Sequence, residues 1–344
     1  METVGPQAWH RHEALAPFGG YVAWEDAHRP DPDHAHLWYV SVFLRLRQVP
    51  GGPTDLAQAL REVLMSQVLL LALDERRMLA TELDRLGPGW PHEVRVVAHV
   101  ATGDLASLPI WCEVLHVGAP VRMPLICLSQ PAVRPDAPLP LPDTRRSTRT
   151  GKGALPVIAV IDDGIAFLNA RFRAAPRRTR IVAVWLQAPE VLDPAGVLCG
   201  QVLDRAAIDR LLETGEDEAD IYRRNNRGLL PGPERHSTNH AVSHGTHVLD
   251  LAAGAAPEGA AEDGMRALPI LAVQLPPAAV RDTSGRRLEG YVVQALRWLI
   301  AQTLRRASGG PVAPLIINLS LGSLAGPGDD HAFLANWFQH ETER

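Results

Sequence analysis

A chain of 344 residues with 46% apolar and 21% charged side chains falls among ordinary folded globular proteins and is long enough for two cores. Its formal net charge of −5 excludes the clustered basic surface that nucleic acid or an anionic membrane rewards. Three cysteines, Cys112, Cys127 and Cys199, stand at wide spacings that fit neither a disulfide framework nor a zinc knuckle.

The first residues, METVGPQAWHRHEALAPF, lack a basic start followed by an apolar run, and no apolar run reaches membrane-spanning length. A cytoplasmic chain is therefore expected. From His36 to Arg47, Val40, Val42, Leu44 and Leu46 alternate with Ser41, Arg45 and Arg47, which predicts a strand with one buried face. Thr54 then caps a predicted helix whose Leu56, Leu60, Val63 and Leu64 share a side, and Leu79, Leu83 and Leu86 repeat the spacing until Gly87-Pro88-Gly89. Strands are predicted at 93–100 and 111–118. Residues 1–128 thus read as a small α/β unit, an accessory domain.

Between 129 and 153 five prolines and the run RRSTRTGKG leave nothing to bury, which reads as a linker. From Ala154 the texture changes to continuous apolar runs, VIAVI (157–161), RIVAVWL (180–186), ALPILAVQL (267–275) and PLIINLSL (314–321), the mark of strands buried on both faces of a parallel sheet. Helical patterns lie between them, among them 291–306 with Val293, Leu296, Ile300 and Leu304 on one face. This alternation predicts a layered α/β fold over 154–344.

Three segments carry chemistry. The strand VIAVI runs into Asp162-Asp163-Gly164, setting a carboxylate at the carboxyl edge of a parallel sheet, although Asp-Gly is also a plain turn signal. SHGTHVLDLAAG (243–254) opens a helix with His244 and continues with small residues that pack tightly. IINLSLGS (316–323) is a strand turning glycine-rich at Gly322, suited to binding an extended peptide by its edge.

In this order the segments VIAVIDDGI, HGTHVLDLAAG and IINLSLGS resemble the aspartate, histidine and substrate-strand motifs of the subtilisin-like (S8) serine peptidases. The resemblance covers roughly 154–344, and in its light the accessory unit 1–128 is also prodomain-like. It implies a subtilisin-like parallel sheet with helices on both faces, incomplete here, and serine-type endopeptidase chemistry on a polypeptide substrate. It further implies Asp162 as the triad acid, His244 as the base, and Ser320, Leu321 and Gly322 along the substrate strand. A serine hydroxyl becomes nucleophilic when a neutral imidazole takes its proton, and a buried carboxylate holds that imidazole in the right tautomer.

The sequence also departs from the family. The 82 residues from Asp162 to His244 include the polar, helix-like DRLLETGEDEADIYRR and predict an insertion. Only 22 residues follow Gly322, and neither the oxyanion asparagine motif nor the Gly-Thr-Ser motif is among them. Ser237, Ser243 and Ser284 lack the glycine-flanked turn into a helix that a nucleophile needs. The 344 residues are therefore expected to be inactive alone, with the serine on a missing C-terminal segment as the implied partner. No cofactor is expected, and calcium, bound by many relatives, has no assignable ligands. Two alternatives remain open: a peptide-binding module without hydrolysis, and a metal site on the series His236, His240, His244 and His247, whose helix Gly245 interrupts and which lacks a neighbouring glutamate.

Overall fold

The computed structural model describes residues 38–118, 121–122, 155–188, 191–193, 196–198, 200–229, 243–256, 264–281, 285–304, 312–321 and 332–343. The expected linker, 129–153, lies outside them. The chain divides into two units, and the first gathers the N-terminal elements together with a C-terminal helix.

In the first unit, β1 (Trp38–Leu46) runs antiparallel between β2 (Val94–Ala101) and β3 (Cys112–Val117), and the short β4 (Val121–Arg122) pairs with its start. Val40, Val42, Leu44 and Leu46 face one core with Val94, Val96, Ala98 and Val100. The helices α1 (Leu56–Met65) and α2 (Leu73–Leu83) cover it with Leu56, Leu60, Val63 and Leu79. The cap of α1 is Asp55, one residue beyond the expected Thr54: its carboxylate accepts from the Gln58 N–H at 2.7 Å, while Thr54 bonds the Gln58 side chain. The outer edge of β2 is closed by Leu70, which exchanges backbone hydrogen bonds with His99, and by the Glu75 carboxylate, which takes the Val97 N–H at 2.9 Å.

The other face of this sheet was expected to be wet, yet Ser41 and Phe43 are buried. The cause is the helix Phe333–Glu343, which belongs to this unit and lies on the sheet, so the second domain does not take in the whole of the expected 154–344. Phe43 meets the edges of Phe333 and Trp337, and His116 stacks on Phe333 at 4.3 Å. Arg95 lies over the Trp337 ring, 5.3 Å from its centroid, and donates to both oxygens of Asn336. Trp337 is wholly buried. The hairpin of Val191–Asp193 with Gly196–Leu198 belongs to the same unit.

The second unit is an α/β layer. Four parallel strands, β8 (Ile181–Leu186), β12 (Ile270–Gln274), β5 (Val157–Asp162) and β13 (Leu315–Leu319), stand in that order, and β11 (Gln201–Asp204) pairs antiparallel on the outer side of β8. Between β5 and β8 the chain forms a small hairpin of β6 (Arg173–Ala175) and β7 (Arg178–Thr179), and β9 (Val191–Asp193) pairs with β10 (Gly196–Leu198) in the first unit. All six residues of β5 are buried. Ile158 and Val160 face a core with Leu249 and Ala253 of the helix His244–Ala253. On the opposite face Trp185, in register with Val273 and so with Ile161, meets Trp298 of the helix Arg286–Leu304. Helices therefore cover both faces, as the continuous apolar runs predict. The expected insertion is two helices, Arg205–Thr214 and Glu218–Leu229, the first capped by Asp204 and closed by Gly215 at φ 70. Among the described residues no helix is long and apolar enough to cross a membrane.

Trp337→Ala removes the largest apolar side chain of the C-terminal helix. It is expected to destabilise the first unit by about 3 kcal/mol, read by denaturant unfolding, and to release the helix to early proteolysis.

Candidate functional site

The site begins with the end of β5. The chain leaves β5 for β8 on one side, and β12 is connected across it to β13 on the other, so the carboxyl ends diverge where Asp162 stands. Asp162 has the same parity as Ile158 and Val160, which turns its side chain toward the helix that opens with His244. The His244 Nδ1 lies 2.7 Å from Asp162 Oδ1. Asp162 is fully buried, whereas the His244 side chain is 54% exposed, so the ring is fixed on one side and open to an incoming group on the other.

Close approach of strand and helix makes this possible. The Gly245 N–H donates to the Asp163 carbonyl at 3.0 Å. A Cβ at Gly245 would fall on that carbonyl oxygen and 3.0 Å from Asp162 Cβ, so only glycine lets the helix come this near. Gly164 takes φ 54, turning the backbone back beneath the helix. There the hydroxyls of Ser243 and Thr246, 2.9 Å apart, share the Gly164 carbonyl, and Thr246 Oγ1 also accepts the Ala166 N–H at 2.9 Å. The Gln274 side chain holds the Ile165 N–H, and the Leu275 N–H holds the Asp162 carbonyl.

Electrostatics follow from burial. Loss of water pushes the Asp162 carboxyl above its ordinary value of 3.8, against the pull of the hydrogen bonds from His244 and the Asp163 N–H. The His244 imidazole is raised above 6.5, first by its hydrogen bond to Asp162 and then by the negative charge of Asp162 and Asp163, with partial burial opposing. With Nδ1–H donated to the carboxylate, the neutral ring presents Nε2 as a base.

The other expected residues are only partly accounted for. Leu319 pairs with Ile161, one residue before Asp162, so Ser320 and Leu321 follow at the same end of the sheet. Ser320 is exposed, its hydroxyl donating to Asn318 at 2.8 Å, and Leu321 is half-buried. Gly322, Ser237, Ser284, His236 and His240 lie outside the described residues. His247 is exposed on its helix and does not join His244 in a ligand cluster. The group of described residues with metal-ligand spacing is instead Asp162, Asp163 and His244, whose ligand atoms lie within 4.8 Å of one another.

The sequence points to Gly245 only as a helix interruption, whereas the helix His244–Ala253 runs through it, and it gives no sign of Thr246, Gln274 or the positioning role of Ser243. Serine before a helix start is an N-cap signal, but Ser243 makes no side-chain cap bond and turns its hydroxyl to Gly164 and Thr246 instead.

No protein-family model and no curated protein matches the chain. Among solved structures the chain is similar to the Clostridium perfringens CspB protease, at 20% identity and a TM-score of 0.37, over 60% of this chain and 38% of that one. The chain thus spans about two fifths of that protease's length.

Asp162→Asn is expected to bring the His244 titration midpoint, followed by NMR of the ring protons, down from its raised position toward 6.5. Gly245→Ala forces the helix off the strand end. It is expected to destabilise the second unit by roughly 1–3 kcal/mol and to lower the His244 midpoint in the same assay, because the 2.7 Å hydrogen bond lengthens.

Proposed function

We propose that the chain carries the acid and the base of a subtilisin-like serine endopeptidase. The observation that supports this reading most is the pairing of a fully buried Asp162 with a half-exposed His244 through Nδ1 at 2.7 Å. A carboxylate in that position selects the tautomer that leaves Nε2 basic and stabilises the imidazolium formed when Nε2 takes a proton. The structural role of Ser243 argues the same way: it is buried, and its hydroxyl is committed to Gly164 and Thr246. In this reading it positions the helix, and the nucleophilic serine comes from polypeptide outside these 344 residues.

The substrate is an extended polypeptide lying along the outer edge of β13, with Ser320, Leu321 and Gly322 donating and accepting main-chain hydrogen bonds. The serine Oγ loses its proton to His244 Nε2 as it attacks the scissile carbonyl. His244 then returns that proton to the departing amine while Asp162 remains ionised. A second reading, peptide binding without hydrolysis, draws on the same edge, where Ile316 is 52% exposed.

A fluorophosphonate probe separates the two. The 1–344 chain is expected to stay unlabelled, and a chain extended by a segment carrying Gly-Thr-Ser is expected to label. In the extended chain His244→Ala abolishes labelling and Asp162→Asn slows it by about 10⁴-fold. Stoichiometric labelling of 1–344, or labelling indifferent to His244, overturns the peptidase reading. An extended chain that never labels but retains peptide binding establishes the second.

A further inference from the structure

Asp163 brings a second carboxylate to the pair. The Asp162 Oδ2 and Asp163 Oδ1 atoms are both buried and have no hydrogen-bond partner among the described residues. A buried carboxylate oxygen without a donor is unfavourable and invites a cation. Together with His244 the two carboxylates place three ligand atoms within 4.8 Å of one another. They stand on rigid elements, the end of β5 and the first turn of the helix, locked together by the Gly245 N–H bond to Asp163.

We propose that Asp162, Asp163 and His244 form a binding site for a divalent transition metal, Zn²⁺ in the first instance. The donor set decides the metal class. Two carboxylate oxygens and one imidazole nitrogen suit a four-coordinate Zn²⁺ that keeps water in its fourth position. Mg²⁺ and Ca²⁺ are hard ions that take oxygen ligands, so the imidazole nitrogen of His244 is the donor that favours Zn²⁺ over them.

When the ion takes Nδ1, the neutral ring carries its single proton on Nε2, and a protonated ring releases one proton to water. The ion therefore occupies the place of the proton shared by Asp162 and His244. Metal binding and the acid–base pairing exclude one another, making the site an inhibitory one. The inference adds a regulatory ligand to the pair on which the peptidase reading rests, but binding is measured without turnover, so either can fail while the other stands.

The test is calorimetric titration of the full 1–344 chain with ZnCl₂, alongside NMR of the His244 ring. One saturable site is expected, and the bound ion should suppress the pH titration of His244. Asp163→Asn and His244→Ala should each weaken binding by more than about tenfold, the loss that removal of even an outer-shell partner of a ligand causes. Asp163→Asn leaves the Asp162–His244 hydrogen bond in place, so without metal its His244 titration should remain above 6.5. The proposal is overturned by the absence of a saturable site or by unchanged affinity in both variants, which would assign the ion to other histidines. It is equally overturned if Ca²⁺ or Mg²⁺ competes with Zn²⁺ at equal concentration, which would leave the imidazole no part in the binding.

Discussion

Burying the Asp162 carboxylate at the end of a strand that is itself buried throughout is the constraint around which the second unit is arranged. A carboxylate withdrawn from water is unfavourable until donors replace its hydration. Two are supplied, the Asp163 N–H and His244 Nδ1, each 2.7 Å from Oδ1. The first is local and follows from the turn. The second comes from a helix 82 residues away and requires its first turn to touch the strand end, which explains why glycine follows the histidine. Thr246 and Ser243 then fasten that turn to the Gly164 carbonyl, so the distance between Asp162 and His244 is set by hydrogen bonds to the backbone and not by side-chain packing alone.

The sheet supplies the rest of the precision. Because helices cover both faces of β5, a one-residue slip would exchange Asp162 with Ile161 and bury the carboxylate among the aromatic contacts of Trp185 and Trp298. Register is thereby coupled to the site: the hydrophobic pattern that folds the strand also aims the carboxylate.

This coupling accounts for what could be read from the sequence. The apolar run VIAVI and the small-residue helix after His244 are strong local patterns from which the α/β layer follows, whereas the pairing of Asp162 with His244 was legible only through the resemblance of the three motifs to those of the subtilisin-like peptidases. Less was legible where partners are distant or polar. Period-two alternation in β1 identifies a face rich in serine and arginine, and nothing local says that Phe333 and Trp337 will cover it. Their helix is amphipathic with or without that sheet as its partner. The antiparallel β11 and the clamp through Thr246 escape notice for a related reason, since a short edge strand and a single hydroxyl leave no periodic trace. Asp163 reads as a turn residue until its side chain is seen beside Asp162 and His244.

The same pair sets the sense in which the site and stability depend on pH. For both groups the folded state holds its proton more tightly than the ordinary values of 3.8 for Asp162 and 6.5 for His244. A group raised on folding contributes stability below its unfolded value and loses that contribution as pH climbs through its folded value. Asp162 therefore withdraws its share from 3.8 upward, as its carboxylate ionises while buried, and His244 does so from 6.5 upward, as the imidazolium facing that carboxylate becomes neutral. The state with ionised Asp162 beside neutral His244 is thus the one in which this corner contributes least to folding. The two covered faces of the sheet and the Gly164 clamp hold the corner in place, which is why its geometry belongs to the scaffold and not to the ion pair.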